Sequence, residues 1–208
     1  MAARRARLRV LTTATSTAIL CATLSAFHAA RANSDVDVYA QVAQVAPVAQ
    51  IDVQAALVME IELSTFRLSV RDAHSGERGP TIRVALGSPA QPTPIGRFPL
   101  DRIILSPSWR PGRVAERSGA VAQPASLHTP MGAVKIPFAA DGAIALHGGS
   151  DRRVLGKPIS AGCVRATDSD LLRIVAWLDR RDALASARQV RNGEIHRRFR
   201  RTIELVVR

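Results

Sequence analysis

The chain has 208 residues, enough for one domain with extensions. Hydrophobic residues make up 47% of it, and 13 Gly and 12 Pro fall well short of a collagen-like or wholly disordered composition. The net charge of +12 favours an acidic partner (nucleic acid, an anionic membrane or an anionic polymer) and does not choose among them.

The N-terminus narrows the choice. Arg4, Arg5, Arg7 and Arg9 form a positive patch, Val10 to Phe27 is uncharged and made of apolar or small residues, and Ala30-Arg31-Ala32 offers a cleavage site ahead of Asn33. That order predicts a secretory signal peptide over 1–32. A membrane anchor is the alternative, but many Thr, Ser and Ala residues make this a weak spanning helix. Five of the 29 basic residues lie in this prefix with no acidic residue, so the remainder carries 24 basic against 17 acidic side chains. Export removes the opportunity to bind nucleic acid, and no aromatic-basic binding motif appears. If the signal is removed, Cys163 is the sole thiol in an oxidising space, because Cys21 departs with the prefix. An unpaired thiol there is a candidate nucleophile, an inert buried cysteine, or half of an intermolecular disulfide.

Residues 33–55 are a repetitive Ala, Val and Gln stretch and predict a linker. The domain proper is expected over 56–208. Strands are predicted at 57–63 and 66–70 from their alternation, then at 81–86 after the turn cluster 72–79. Pro92-Thr93-Pro94-Ile95-Gly96 is a stiff turn leading into a strand at 97–100, and short strands follow at 133–136 and 143–146. Leu171, Ile174, Val175 and Leu178 share one face at the helical period, with Asp168-Ser169-Asp170 as the expected cap. The Arg-rich stretch 180–201 is read as a surface-exposed, partly helical insertion, and 202–207 as a closing strand. The class is mostly β with one or two helices.

The chemistry concentrates in one block. Ile144-Ala145-Leu146-His147-Gly148-Gly149 brings a histidine to a glycine corner, and Ser160-Ala161-Gly162-Cys163-Val164-Arg165 returns a cysteine towards it. A thiol becomes a strong nucleophile as the thiolate, and an imidazole within about 3 Å can take its proton. Gly162 lets backbone and substrate approach closely. Backbone N–H groups at Gly162 and Cys163 can serve a developing oxyanion, and Arg165 can clamp a carboxylate. Taken singly, each of these residues has an ordinary structural or surface reading. A metal site is not expected, since His128, His147 and Cys163 lack the close paired spacing of zinc ligands.

The ordered set His-Gly-Gly…Ser-Ala-Gly-Cys-Val-Arg resembles the active-site signature of the L,D-transpeptidase (YkuD-like) catalytic domain. Pro92 to Phe98 is similar to that family's Pro-Thr-Pro-x-Gly-x-Phe segment, and Ser108-Trp109-Arg110-Pro111 to its Trp-containing loop. Pro130-Met131-Gly132, Phe138 and Asp168-Ser169-Asp170-Leu171 also fit, so the likeness covers about 57–180 plus 202–207. The resemblance implies a β-sandwich-like domain with a helix beside the cysteine. It implies Cys163 as nucleophile and His147 as base, with a carbonyl of Gly148 or Gly149 orienting the imidazole. Arg165, Ser160 and Gly162 are implied at the substrate, and no cofactor. The implied substrate is the peptidoglycan stem peptide in the periplasm, with membrane contact only through the export signal. The thiolate attacks the diamino acid carbonyl, D-alanine leaves, and the thioester passes to an amine of a second stem or of a wall-anchored protein. A hydrolase passing it to water and a degenerate wall-binding protein are the alternatives. Two departures stand out. Ala161 replaces the family's usual histidine, and Gly149 stands where Thr or Ser is frequent.

Overall fold

A computed structural model describes residues 56–190 and 192–208. The predicted signal peptide and linker lie outside the described residues. Eleven strands and two α-helices are present among those described: β1 Leu57–Glu62, β2 Arg67–Asp72, β3 Arg78–Arg83, β4 Leu86–Gly87, β5 Gly96–Leu105, α1 Arg113–Arg117, β6 Val134–Ala139, β7 Ile144–His147, β8 Pro158–Ser160, β9 Val164–Arg165, α2 Asp168–Asp179, β10 Arg188–Gln189 and β11 Ile195–Val207.

Nine strands form one sheet in the order β3-β2-β1-β11-β5-β6-β7-β9, with β10 on β11, while β4 and β8 pair separately. Helix α2 packs against both β3 and β6, which lie five places apart in that order, so the sheet must curl around it. The face predicted for α2 is the buried one: Leu171, Ile174, Val175 and Leu178 are joined in the core by Trp177. Burying each such side chain contributes about 2 kcal/mol. Trp177 also lies under Gly79, where a side chain would collide with the indole, and Arg181 stacks on the ring 3.7 Å from its centroid.

Three expectations are corrected. The cap of α2 is Thr167, whose Oγ1 accepts from the Asp170 N–H; the Asp cluster occupies the first turn, where it suits the positive end of the helix. The strand expected at 97–100 continues to Leu105, and its alternation breaks where the neighbours Ile103 and Ile104 are both buried. Among its described residues the Arg-rich stretch contains no helix. It ends in β11, whose first half pairs with β5 and β10 and whose second half pairs with β1 and β5. Its arginines are held by distant acids: Arg197 by Asp179, Arg198 by Asp101, Arg200 by Asp182 and Arg201 by Asp72. Those partners let a run of positive charge lie along a strand.

Candidate active site

His147 is the last residue of β7. Parallel pairing sets Leu146 opposite Val164 and His147 opposite Arg165. Leu146 and Val164 enter the core, so by alternation His147 and Arg165 point to the other face. Cys163 immediately precedes β9, so the chain brings the cysteine to the strand that pairs with that of His147.

The imidazole is 2% exposed, and its Nδ1 lies 2.8 Å from the Gly148 carbonyl. A carbonyl only accepts, so Nδ1 carries the proton and Nε2 carries the lone pair. Burial pushes the His147 pKa down to about 4 against the opposing Gly148 bond; Arg165 and Lys135 push it the same way and Asp168 opposes them. The ring is therefore neutral at neutral pH. Cys163 is half-buried, and its thiol donates to the Ala143 carbonyl over 3.8 Å.

The cysteine loop is tied from within. Ser160 Oγ donates to the Cys163 carbonyl at 2.5 Å, and its own carbonyl accepts from the Ser88 N–H. Ser160 is 3% exposed, and its hydroxyl braces the loop. Gly162 adopts φ +102°, and a side chain there would press on Ile144 and approach the Pro92 carbonyl. The Pro92–Phe98 segment thereby abuts the cysteine loop, and Thr93 beneath it accepts from the Gly87 N–H. Ala161, two residues before Cys163, is exposed. Arg165 is bridged to Ala85 through two backbone hydrogen bonds, and its buried Nε has no hydrogen-bond partner.

Asp168 is the residue that sequence reasoning misplaced. Its Oδ1 accepts from the Ala133 N–H at 2.7 Å and the Gly149 N–H at 3.0 Å. One carboxylate oxygen therefore joins the entry of β6 to the corner after His147. A side chain at Gly148 would sit 1.9 Å from that oxygen, which accounts for the glycine. Gly149, with φ +73°, would place a side chain 2.8 Å from the Pro130 carbonyl, so the Thr or Ser frequent in the family has no room here. Asp168 follows the cysteine by five residues in a helix-start pattern, and nothing in that spacing shows its side chain turning back.

The arrangement offers a thiol just before β9, a neutral histidine base on the paired strand β7, and an arginine whose buried Nε has no hydrogen-bond partner. These are the elements of acyl-transfer chemistry. The model of the L,D-transpeptidase catalytic domain (YkuD) matches residues 57–191, and the chain belongs to that family. Among solved structures it is similar to the L,D-transpeptidase LdtMt1 in complex with imipenem (17% identity, TM-score 0.43, 74% of this chain and 59% of that one). It is also similar to an L,D-transpeptidase from Mycobacterium tuberculosis H37Rv (15%, 0.48, 74% and 58%) and to one from Enterococcus faecium (15%, 0.47, 74% and 50%). The chain thus spans half to three fifths of those chains. No curated protein matches it.

Proposed function

We propose that the protein is a peptidoglycan L,D-transpeptidase of the cell envelope working through a cysteine thioester. The observation that carries this reading is the neutral His147, held through Nδ1 by Gly148 at the end of β7, the strand that pairs with β9 just after Cys163. Rotation about the Cys163 Cα–Cβ bond takes the sulfur from the Ala143 carbonyl towards Nε2, which accepts the thiol proton. The sulfur attacks the carbonyl on the L-centre side of the diamino acid. Backbone N–H groups at Gly162 and Cys163 receive the charge that develops on the oxygen. As the tetrahedral intermediate collapses, the C–N bond breaks and His147 returns its proton to the departing D-alanine amine. An acceptor amine of another stem, or of a wall-anchored protein, then attacks the thioester, and Cys163 is regenerated.

Arg165 holds a substrate carboxylate beside the base, and its unpaired Nε supports that role. The signal peptide expected from the sequence over 1–32 fits a periplasmic site of action. A tetrapeptide stem supplied with an acceptor amine should release D-alanine and give a joined product, with an acyl adduct on Cys163 seen by intact mass. Cys163→Ala should abolish all three. Full turnover by that variant would sink the mechanism, and free tripeptide without joined product would make the protein a hydrolase.

A further inference from the structure

A second charged feature lies outside the cysteine–histidine site. A cavity of about 410 Å³ opens where β5, β10 and β11 meet, lined by Arg102, Arg188, His196 and Arg198 together with Ser186 and Val190. Register explains the clustering. Arg188 is opposite His196, His196 opposite Ile104, and Arg198 opposite Arg102, so all these side chains leave one face of the sheet.

The lining carries excess positive charge. Asp101 bonds both Arg102 and Arg198, and Glu194 bonds His196. Among the described residues Arg188 makes no ion pair. Arg102 Nε is buried without a hydrogen-bond partner, a donor left waiting for an acceptor. Three guanidinium groups face one neutralising carboxylate, apart from the Glu194–His196 pair. This excess suits an oxyanion.

The same register ties the cavity to the active site. Ile104 is opposite Lys135, Lys135 opposite His147, and His147 opposite Arg165. One row of partners thus runs Arg188–His196–Ile104–Lys135–His147–Arg165 across six strands. His196 and His147 stand three strand spacings apart, roughly 14 Å, a span that about four residues of extended peptide cover. We propose that this cavity is an anion subsite of the transfer reaction, taking a carboxylate of a peptide substrate. The proposal rests on the peptide acyl-transfer reading above. It assigns the Arg-rich segment a share in substrate selection.

The test uses the full chain and the double substitution Arg188→Gln with Arg198→Gln. Arg188 is exposed and the Arg198–Asp101 pair is largely solvated, so the fold should tolerate both changes. Acylation by imipenem, measured by intact mass, reports Cys163 and His147 alone, because a small molecule at the thiol does not reach the cavity. It should be unchanged in the variant. Absence of acylation in the wild type and in Cys163→Ala alike would instead count against the thioester mechanism itself.

Turnover is then compared for a stem tetrapeptide with free carboxylates and for the same peptide amidated everywhere except its terminal D-alanine. Wild type should prefer the free acid, with KM about tenfold lower, the effect of one charge-assisted hydrogen bond. The variant should lose that preference at unchanged kcat. Loss of preference in the single-turnover acylation step places the carboxylate on the donor; loss only in transfer places it on the acceptor. Equal handling of both peptides by wild type and variant overturns the proposal. So does that result combined with wild-type binding of inorganic phosphate that the variant lacks, since the cavity would then serve phosphate.

Discussion

His147 sits between two demands, burial and proton acceptance. Its pKa of about 4 lies below the usual 6.5 of an exposed histidine, so the unfolded chain takes up a proton before the folded chain does as pH falls. Its contribution to stability is complete above pH 6.5 and declines as pH falls towards 4, by about 3 kcal/mol in total. Denaturant titrations between pH 4 and 7 should show that slope, and His147→Gln should flatten it. In the proposed mechanism the same group sets the acid limb of kcat/KM, which should lie below pH 5. A limb near 6.5 would mean that the ring is solvated during turnover. Asp168 is the matching structural test. Asp168→Ala strands the N–H groups of Ala133 and Gly149 and should cost about 2–3 kcal/mol of stability in chemical denaturation. It should also lower kcat, because the corner after His147 loosens. Asp168→Asn keeps an acceptor oxygen and should recover most of both losses.

Among the elements, the loop between β5 and β6 depends on a residue far along the chain. Glu194, just before β11, accepts from the Ser108 N–H at 2.9 Å and from Ser108 Oγ at 2.6 Å. Burial pushes its pKa up, yet bonds from Ser108, His196 and Asn192 outweigh that and hold it down at about 2. Farther along the loop, Thr129 Oγ1 donates to the Pro107 carbonyl, and Pro130 abuts Gly149. The loop's two ends are thus pinned beside the His147 corner. Two hydrogen bonds to a charged acceptor are worth about 2 kcal/mol or more, so Glu194→Ala should ease local opening roughly 30-fold. Limited trypsin digestion checks this by the rate of cleavage after Arg117, with global stability followed in parallel. Such an anchor was invisible in the sequence, since 86 residues separate Glu194 from Ser108. Local patterns fared better. The alternation of β1 and β2 and the apolar face of α2 were readable because each buries one side against a common core.

At the scale of the whole molecule, what could be read depended on how far each interaction reaches. The histidine and cysteine motifs are contiguous, so the candidate pair and its flanking glycines could be picked out directly. The partners that steady them could not: Asp168 reaches back 35 residues to Ala133, and Ser160 turns inward. The Arg-rich run misled for a related reason. Read alone, it suggests a solvated helix, whereas its acidic partners Asp101, Asp179 and Asp182 belong to other elements and let it lie flat as a strand. This matters for the architecture, because β11 sits between β1 and β5 yet follows the 57–191 segment matched to the family. Its buried Ile203, Leu205 and Val207 pair with Leu57, Met59 and Ile61 on one side and meet β5 on the other. A chain ending at residue 191 would leave two facing strand edges unpaired and remove three core side chains, each worth about 2 kcal/mol. That total is comparable to the whole stability of a typical domain, about 5–15 kcal/mol. The truncated chain should therefore fail to fold, with lost near-ultraviolet circular dichroism and no cooperative thermal transition. Adding residues 192–208 in trans as a peptide should restore neither signal efficiently, because β11 must enter between two strands that it also orders. A cooperative transition in the truncated chain would show that β1 and β5 can close on each other, and that β11 is an addition to the core instead of its centre.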